Sequence, residues 1–176
     1  MPVLAVENLS VGMTGRDGGL VPVLENLSFT LDKGKTIALV GESGCGKSMT
    51  ALAIMGLLAE GFAVTDGRIL LDGEDLIAAS PRRLRSLRGD AMSMVFQEPM
   101  TALNPLYTVG DQIAEVLYYH RRLSRKDADE QAVEFLKAAQ IPAAAQRAKA
   151  YPHQMSGGMR QRVMIAMALA CKPKLL

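Results

Sequence analysis

The feature that most restricts the fold of this chain is the octapeptide at residues 41–48, GESGCGKS. It fills every fixed position of the pattern G-x-x-x-x-G-K-[ST]. Residues 36–40 (TIALV) predict a buried strand before it, and residues 49–58 (MTALAIMGLL) predict a helix after it. A glycine-rich turn between strand and helix directs backbone N–H groups and the positive end of the helix dipole into one concavity. The octapeptide, called the phosphate loop below, therefore predicts an anion site in an α/β fold.

Each fixed position of the phosphate loop has a chemical role toward a nucleoside triphosphate. The three glycines allow close approach and unusual backbone angles. Lys47 is predicted to reach the β- and γ-phosphates as a point charge, and the Ser48 hydroxyl to ligate Mg²⁺. The predicted cofactors are ATP and Mg²⁺, and the predicted contacts are Gly41, Glu42, Ser43, Gly44, Cys45, Gly46, Lys47, Ser48 and Met49. A chance match to the pattern is expected in only roughly one in a couple of hundred chains of this length, so nucleotide binding is the favoured interpretation.

Composition places the chain among ordinary globular proteins. Its 176 residues suffice for one domain or one domain with a subdomain, and 49% are hydrophobic and 22% charged. A net charge of +2 gives no general case for nucleic-acid binding. No apolar run approaches the roughly 18 residues of a membrane span, and the N-terminus lacks the order of a secretory signal. Two distant cysteines, Cys45 and Cys171, favour a reducing compartment without a disulfide framework.

The character of the sequence changes near residue 100. Before it, strands are predicted at residues 3–9, 21–31, 68–71 and 92–96, with a loop at 12–19 and turns at 32–35 and 72–73. After it, helices are predicted at residues 109–120, 126–140, 143–150 and 156–170. We therefore expect an α/β core over residues 1–100 and a helical subdomain over residues 101–172.

A second candidate anion site lies about 110 residues after the phosphate loop. Ser156, Gly157 and Gly158 open the last predicted helix. Serine is a good N-cap, and paired glycines expose the backbone N–H groups of a helix start. Alone this tripeptide is weak evidence, because a flexible turn before a buried helix has the same composition.

Gln97 is a third candidate site residue. It directly follows the predicted strand at residues 92–96 and lies within the sequence FQEPMTALNP. A glutamine at a strand end beside a phosphate loop can reach Mg²⁺ or an attacking water through its amide oxygen. The plainer explanation is a polar residue in a turn before Pro99.

Taken in order and spacing, the three features resemble the ATP-binding subunits of ABC transporters. The resemblance runs from Leu4 to the last residue. The segments FQEPMTALNP and YPHQMSGGMRQRVMIAMAL look most like importers of dipeptides, oligopeptides and related small solutes, including nickel. The implied fold is a P-loop NTPase core with a mixed sheet and an inserted helical subdomain.

The resemblance implies a shared ATP site. Two ATP-binding subunits, alike or different, would face each other, and each ATP would lie between one phosphate loop and the partner's signature segment. That segment comprises Met155, Ser156, Gly157, Gly158 and Met159. Lys47 and Gln97 would be catalytic, with Gln97 and Ser48 near Mg²⁺. Met13 takes the place where the family stacks an aromatic ring on adenine, and its thioether should hold the base less well.

The resemblance also implies partners and a location. The helical subdomain would dock on transmembrane permease subunits, with a periplasmic solute-binding protein acting indirectly. The subunit would be peripheral, on the cytoplasmic face of the inner membrane. In the family, an apolar strand follows the signature helix and ends in an Asp for Mg²⁺ and a Glu for the attacking water, with a switch histidine further on. Residues 173–176 would only begin that strand, so the C-terminal part of the core is expected to be missing and the chain inactive alone.

Two other functions remain open from the sequence. A soluble ABC-type ATPase of DNA repair or translation would use the basic runs Arg82, Arg83, Arg85, Arg88 and Arg121, Arg122, Arg125, Lys126. Basic runs are more often solvated faces, and with four Phe, four Tyr and no Trp there are few aromatic residues to stack on bases. An inactive interaction fragment that binds a partner through its signature helix is the second alternative.

Overall fold

The structure is a computed structural model and describes residues 2–15, 19–97 and 102–176. The chain divides into two compact units, Met1–Arg85 with Leu175 and Ser86–Lys174 with Leu176. The first unit contains β1 (Leu4–Thr14), β2 (Leu20–Leu31), α1 (Lys47–Met55), β3 (Phe62–Leu71), β4 (Glu74–Asp75) and the first five residues of α2 (Pro81–Leu87). The second contains α3 (Val109–Arg121), α4 (Arg125–Ala138), α5 (Ala144–Arg147), the 3₁₀ turn Pro152–Gln154 and α6 (Gly157–Leu169).

The first unit is built on a four-stranded antiparallel sheet with the order β2-β1-β3-β4. The inner strand β1 supplies much of the core, because most of its apolar side chains are buried while Glu7, Asn8 and Met13 are exposed. The ladder between β1 and β3 shifts register after Glu7. At this irregularity a Cβ on Gly67 would lie 2.5 Å from the Asn8 carbonyl oxygen, so glycine is required by close backbone approach.

The predicted turns of the first unit are confirmed. Asp72 and Gly73 both have positive φ, 49° and 85°, and join β3 to β4 as a hairpin of the primed type. Lys35 N–H donates to the Asp32 carbonyl oxygen at 3.1 Å, which closes the turn before the phosphate loop. The loop expected at residues 12–19 is shorter, because residues 12–14 belong to β1.

The second unit is helical, as predicted, and its helices pack on one hydrophobic core. Each long helix contributes a buried residue every three or four positions, which is the spacing of one helix face. These residues are Val109, Ile113, Leu117, Ala128, Ala132, Leu136, Val163, Ala166 and Ala170. Thr108, Ser124 and Ser156 cap α3, α4 and α6 through their side-chain oxygens. Among the described residues, no helix is both long and apolar enough to cross a bilayer.

Two predicted strands are wrong. Residues 36–40 form no strand ladder and are exposed rather than buried, with Val40 91% exposed. In residues 92–96 Met92 is buried, but it makes only an isolated bridge to Arg88. A strand needs a neighbour to complete its ladder, and β propensity describes only suitability for one. Since neither run has such a neighbour among the described residues, the sheet described here is antiparallel rather than mixed.

Candidate functional site

The phosphate loop adopts a conformation that depends on its glycines. Gly44 and Gly46 have φ of 87° and 91°, in the left-handed region that L-residues enter at a cost of roughly 1–2 kcal/mol. Gly46 is the N-cap of α1, so the helix begins at Lys47, two residues before the predicted start. Gly41 differs from these two, since a Cβ there would lie 2.5 Å from the Cys45 Sγ atom and the Cys45 side chain would have to move. Backbone angle therefore requires glycine at positions 44 and 46, whereas Gly41 leaves space for the Cys45 thiol.

The Lys47 ammonium lies within the phosphate loop. Its Nζ atom donates to the carbonyl oxygens of Gly41 and Glu42, at 2.8 and 2.6 Å, and to Cys45 Sγ at 3.3 Å. A cation is thus held beside the N-terminus of α1, whose dipole also favours negative charge. The available groups are a cationic donor and backbone N–H donors, which is the donor set that a triphosphate requires.

Thr50 anchors the start of α1, although it was not among the site residues predicted from the sequence. Its side chain is buried, and its Oγ1 and backbone N–H both bond the Gly46 carbonyl oxygen, at 3.0 and 2.8 Å. This bond back to the preceding turn ties the helix to the glycine that ends the phosphate loop. The available signal was a threonine one turn into an otherwise apolar helix.

Ser48 is exposed in the first turn of α1, where its hydroxyl is one neutral oxygen ligand for a cation. No group of three or more His, Cys, Asp or Glu side chains suited to hold a metal occurs among the described residues. Mg²⁺ at nucleotide sites commonly takes one or two protein oxygens and completes its octahedron with waters and phosphate oxygens. Ser48 fits that kind of site.

The signature segment begins a helix, as the sequence predicts. Ser156 has φ −67° and ψ 161°, and its Oγ accepts a hydrogen bond from the Met159 N–H at 3.3 Å. An ideal Cβ on Gly157 or Gly158 would have no neighbouring atom within 4 Å. Met155 is buried and Met159 packs against the helical core, so the glycine-rich start is held from both sides while its outer surface stays open.

The chain entering the signature segment is held by local bonds. The Tyr151 and His153 rings stack with centroids 5.7 Å apart and planes 14° from parallel. Gln154 Oε1 accepts from the Tyr151 N–H at 2.9 Å, and Arg160 Nε donates to the Pro152 carbonyl oxygen at 2.7 Å. These bonds fix the direction in which the chain reaches Ser156.

The remaining predicted residues lie in both units. Met13 lies on β1 between Val21 of β2 and Phe62 of β3, with 38% of its surface exposed. The first unit therefore contains Met13 and residues 41–49, and the second contains Gln97 and residues 155–159. Gln97 is exposed, and residues 93–96 before it do not form the predicted strand. The roles assigned to these side chains stay predictions.

Both basic runs contain residues that pair with carboxylates. Arg83 binds both oxygens of Glu74 at 2.8 Å, and this hydrogen bonding holds the pKa of the Glu74 carboxyl below its usual value. Further ion pairs join Arg121 to Asp90, Arg125 to Asp111 and Asp129, and Lys126 to Glu130. Mixed charge of this kind is typical of a solvated surface rather than a phosphate-backbone footprint.

Comparison with known proteins gives a consistent relationship. The family model described as ABC transporter matches residues 24–176. The chain is 53% identical over 175 residues to the dipeptide transport ATP-binding protein DppD of Bacillus subtilis (strain 168), across 99% of this chain and 52% of that protein. It is 49% identical to the oligopeptide transport ATP-binding protein OppD of Salmonella typhimurium, across 99% of this chain and 51% of that protein. The chain thus spans about half the length of these curated relatives.

Solved structures give the same relationship. A dimeric structure of MJ0796, described as a bacterial ABC transporter cassette, matches with a TM-score of 0.84 and 28% identity, over 97% of this chain and 70% of that chain. A post-hydrolysis state of the same cassette, bound to ADP and Pi, matches with a TM-score of 0.83. With the family model matching most of the chain and the phosphate loop in place, this protein belongs to the ABC transporter family and has the P-loop NTPase cassette fold.

Proposed function

We propose that this chain is the ATP-binding part of an importer and couples ATP binding and hydrolysis to the uptake of peptides or similar small solutes. The observation that carries the proposal is the Lys47 ammonium held within a glycine loop at the start of α1. Support for the solute class comes from the relatives, which are named as dipeptide and oligopeptide transport proteins. These names also disfavour the alternative of a soluble ATPase in DNA repair or translation.

In this proposal the phosphate loop binds the nucleotide, and bound ATP with Mg²⁺ supplies the phosphoanhydride that is hydrolysed. Lys47 exchanges its carbonyl contacts for phosphate oxygens, and loop N–H groups donate to the same phosphates. The Ser48 hydroxyl binds Mg²⁺, and Gln97 orients the attacking water or reaches the metal. Met13 packs on the base. Catalysis then rests on positioning and electrostatics rather than on a protein nucleophile.

The signature segment is proposed to complete the ATP site of a second ATP-binding subunit. Ser156 caps the helix start, and Gly157 and Gly158 leave open space on the surface where a γ-phosphate would approach their N–H groups. The similarity to a cassette described as dimeric supports such a pairing. Whether the second subunit is a copy of this chain is an outcome of the experiment below.

The proposed location and further partners follow from the same role. The protein is proposed to be peripheral, on the cytoplasmic face of the inner membrane. Residues 101–172 would dock on transmembrane permease subunits, with a periplasmic solute-binding protein delivering the solute. Nucleic acid is not proposed as a partner, in agreement with the paired basic runs.

Residues 1–176 by themselves are proposed to bind ATP without hydrolysing it. Residues 170–176 (ACKPKLL), which follow α6, contain no Asp or Glu. The family's metal-binding Asp, its water-activating Glu and its switch histidine all follow the signature helix. Loss of a general base alone typically lowers a rate by about 10²–10⁴-fold. Measurable Mg²⁺-dependent turnover by this polypeptide would contradict the proposal.

The experiment that tests the main proposal is uptake of a labelled dipeptide by vesicles holding the assembled transporter. Uptake should require ATP and should be lost in Lys47→Ala but kept in Lys33→Ala, a lysine in the turn before the loop. ATP-independent uptake, or turnover that responds to nucleic acid instead of solute, would overturn it. Mass measurement of the assembly shows whether its two ATP-binding subunits are identical.

A further inference from the structure

Gln112 carries an unusual set of hydrogen bonds for a side chain in a helical core. Thr50, Ser93 and Gln112 are the buried polar residues among those described. Gln112 Oε1 accepts from the Asn104 N–H at 2.9 Å, and its Nε2 donates to the carbonyl oxygens of Asn104 and Tyr107, at 2.9 and 3.1 Å. Both amide hydrogens are therefore used, and all three bonds reach one segment outside α3.

The segment that Gln112 binds is held in one conformation by several independent constraints. Leu103 is buried in the helical core. Asn104 Oδ1 accepts from the Leu106 N–H at 3.0 Å, and the ring of Pro105 restricts the backbone between them. The result is a clamped turn at residues 103–107. This turn is a fixed point of the chain after Gln97 and is called the first anchor.

A second anchor precedes Gln97. Met92 is fully buried, and its carbonyl oxygen accepts from the Gly89 N–H at 2.8 Å. The neighbouring Ala91 carbonyl oxygen accepts from the Lys174 N–H at 2.8 Å. Gln97 thus lies five residues after one fixed point and six residues before the other.

The helix start that carries Gln112 also holds the chain leading to the signature segment. The N–H groups of Val109 and Gly110 donate to the carbonyl oxygens of Ala150 and Ala148, at 2.9 and 2.8 Å. A Cβ on Gly110 would lie 2.7 Å from the Ala148 oxygen, so the two backbones are in direct contact. The start of α3 therefore holds two segments. Residues 103–107 follow Gln97 in the chain, and residues 148–150 precede Ser156.

We infer that Gln112 is a positioning residue for ATP hydrolysis. Its side-chain amide clamps the turn at residues 103–107 to the start of α3, and this turn limits the positions that Gln97 can take. The inference rests on the proposed function for the role of Gln97 and on the hydrogen bonds of Gln112 for the clamp. A released turn leaves Gln97 more conformations, so fewer molecules hold it in the productive one. The turnover number should fall, while ATP affinity, which the phosphate loop sets, should be kept.

The clamp is tested first by amide hydrogen exchange on the full chain. Gln112→Met keeps the length of the side chain and removes its hydrogen bonds. The Leu106 and Tyr107 N–H groups, which do not bond Gln112 directly, should exchange about tenfold faster or more. Leu136→Ala, a core change in α4, serves as the control for general loss of stability. Exchange unchanged in Gln112→Met, or equally fast in Leu136→Ala, would overturn the clamp.

The link to hydrolysis is tested by a double-mutant cycle in the assembled transporter. Gln112→Met should lower kcat about tenfold with the KM for ATP within twofold, and should cause no further loss in a Gln97→Ala background. Gln112→Glu, which keeps an acceptor and loses the donors, should be intermediate, and Leu136→Ala should retain kcat. If the fold-loss in kcat of the double variant equals the product of the losses in Gln112→Met and Gln97→Ala, the two residues act independently and the inference is overturned. If the unmodified assembly does not hydrolyse ATP, the proposed function fails, and the exchange result alone decides whether the clamp exists.

Discussion

The phosphate loop and the signature segment are both glycine-rich helix starts, but they differ in whether the conformation of the chain itself requires glycine. In the phosphate loop Gly44 and Gly46 have left-handed backbone angles, and Gly41 leaves space that the Cys45 thiol occupies. In the signature segment Gly157 and Gly158 have no atom near an added Cβ, and they lie in ordinary helix. The first set is required by the chain's own conformation, whereas nothing within the described part of the chain requires the second.

Because of this difference, glycine substitutions in the two segments should affect stability and function differently. A glycine that the fold does not need costs helix stability, by roughly 0.5–1 kcal/mol relative to alanine. Such a cost at two successive positions is explained when another molecule approaches the backbone there. The phosphate loop should therefore lose stability and binding together when its glycines change, while the signature segment should lose function alone.

The largest expected effect is at the charge inside the phosphate loop. Lys47→Ala removes the cation that contacts the Gly41 and Glu42 carbonyl oxygens and is proposed to bind phosphate. We expect kcat of the assembled transporter to fall about 10²–10³-fold, as when one transition-state donor is removed. Phosphate release measures this, with Lys33→Ala as the matched lysine change. A loss below tenfold would mean that the loop is not the catalytic phosphate site.

The signature segment should show the opposite separation of effects. Gly158→Ala fills space that is open in the chain itself, so unfolding should need the same free energy or slightly more. ATP-dependent turnover of the assembly should fall by roughly tenfold or more, because the added methyl group lies where the partner's phosphate is proposed to approach. Turnover assays and thermal melting on one preparation give both values. Full turnover in this variant would remove the proposed shared site.

Stability changes of opposite sign sharpen the comparison further. Gly46→Ala places a side chain at φ 91° and 3.3 Å from a Leu24 methyl carbon, so we expect a loss of about 1–2 kcal/mol. Gly157→Ala should instead stabilise the full chain by about 0.5 kcal/mol. Chemical denaturation of the two variants beside the wild type measures both. Changes of the same sign would show that the two helix starts are constrained alike.

The smallest expected effect is a difference in reactivity between the two cysteine thiols. Cys45 precedes α1, and Cys171 follows α6. Cys45 is exposed in the phosphate loop, whereas Cys171 is fully buried after α6, and burial raises the pKa of the Cys171 thiol. A raised pKa lowers the reactive thiolate fraction at neutral pH, and burial also blocks access. Iodoacetamide should therefore label Cys45 at least about tenfold faster than Cys171 in the native chain, with equal labelling after denaturation.

The nucleotide adds a control to that measurement. ATP should slow alkylation of Cys45, because the nucleotide is proposed to occupy the loop beside the thiol, and should leave Cys171 unchanged. Mass spectrometry of labelled peptides separates the two sites. Equal rates at Cys45 with and without ATP would place the nucleotide elsewhere.

Local features were predictable from the sequence because short-range chemistry determines them. The turns at Asp72–Gly73 and at Lys35, the Ser156 cap and the long helices of the second unit all follow from neighbouring residues. The phosphate loop belongs to the same class, since its glycine spacing and following helix lie within about twenty residues. Together with Gln97 and the segment at Ser156, its sequence indicated the family that the comparisons show.

Features that depend on distant partners were not predictable. Residues 36–40 and 92–96 have strand composition, but a strand also needs a neighbour, and none of the described strands pairs with either run. Thr50 and Gln112 lie in helical patterns whose spacing gives no sign of the groups that their side chains bind. The sequence by itself determined the phosphate loop, the Ser156 cap and the family. Only the tertiary structure decided that Gln112 clamps a turn eight residues earlier and that Gly157 and Gly158 face open space, because both facts depend on atoms brought together by folding.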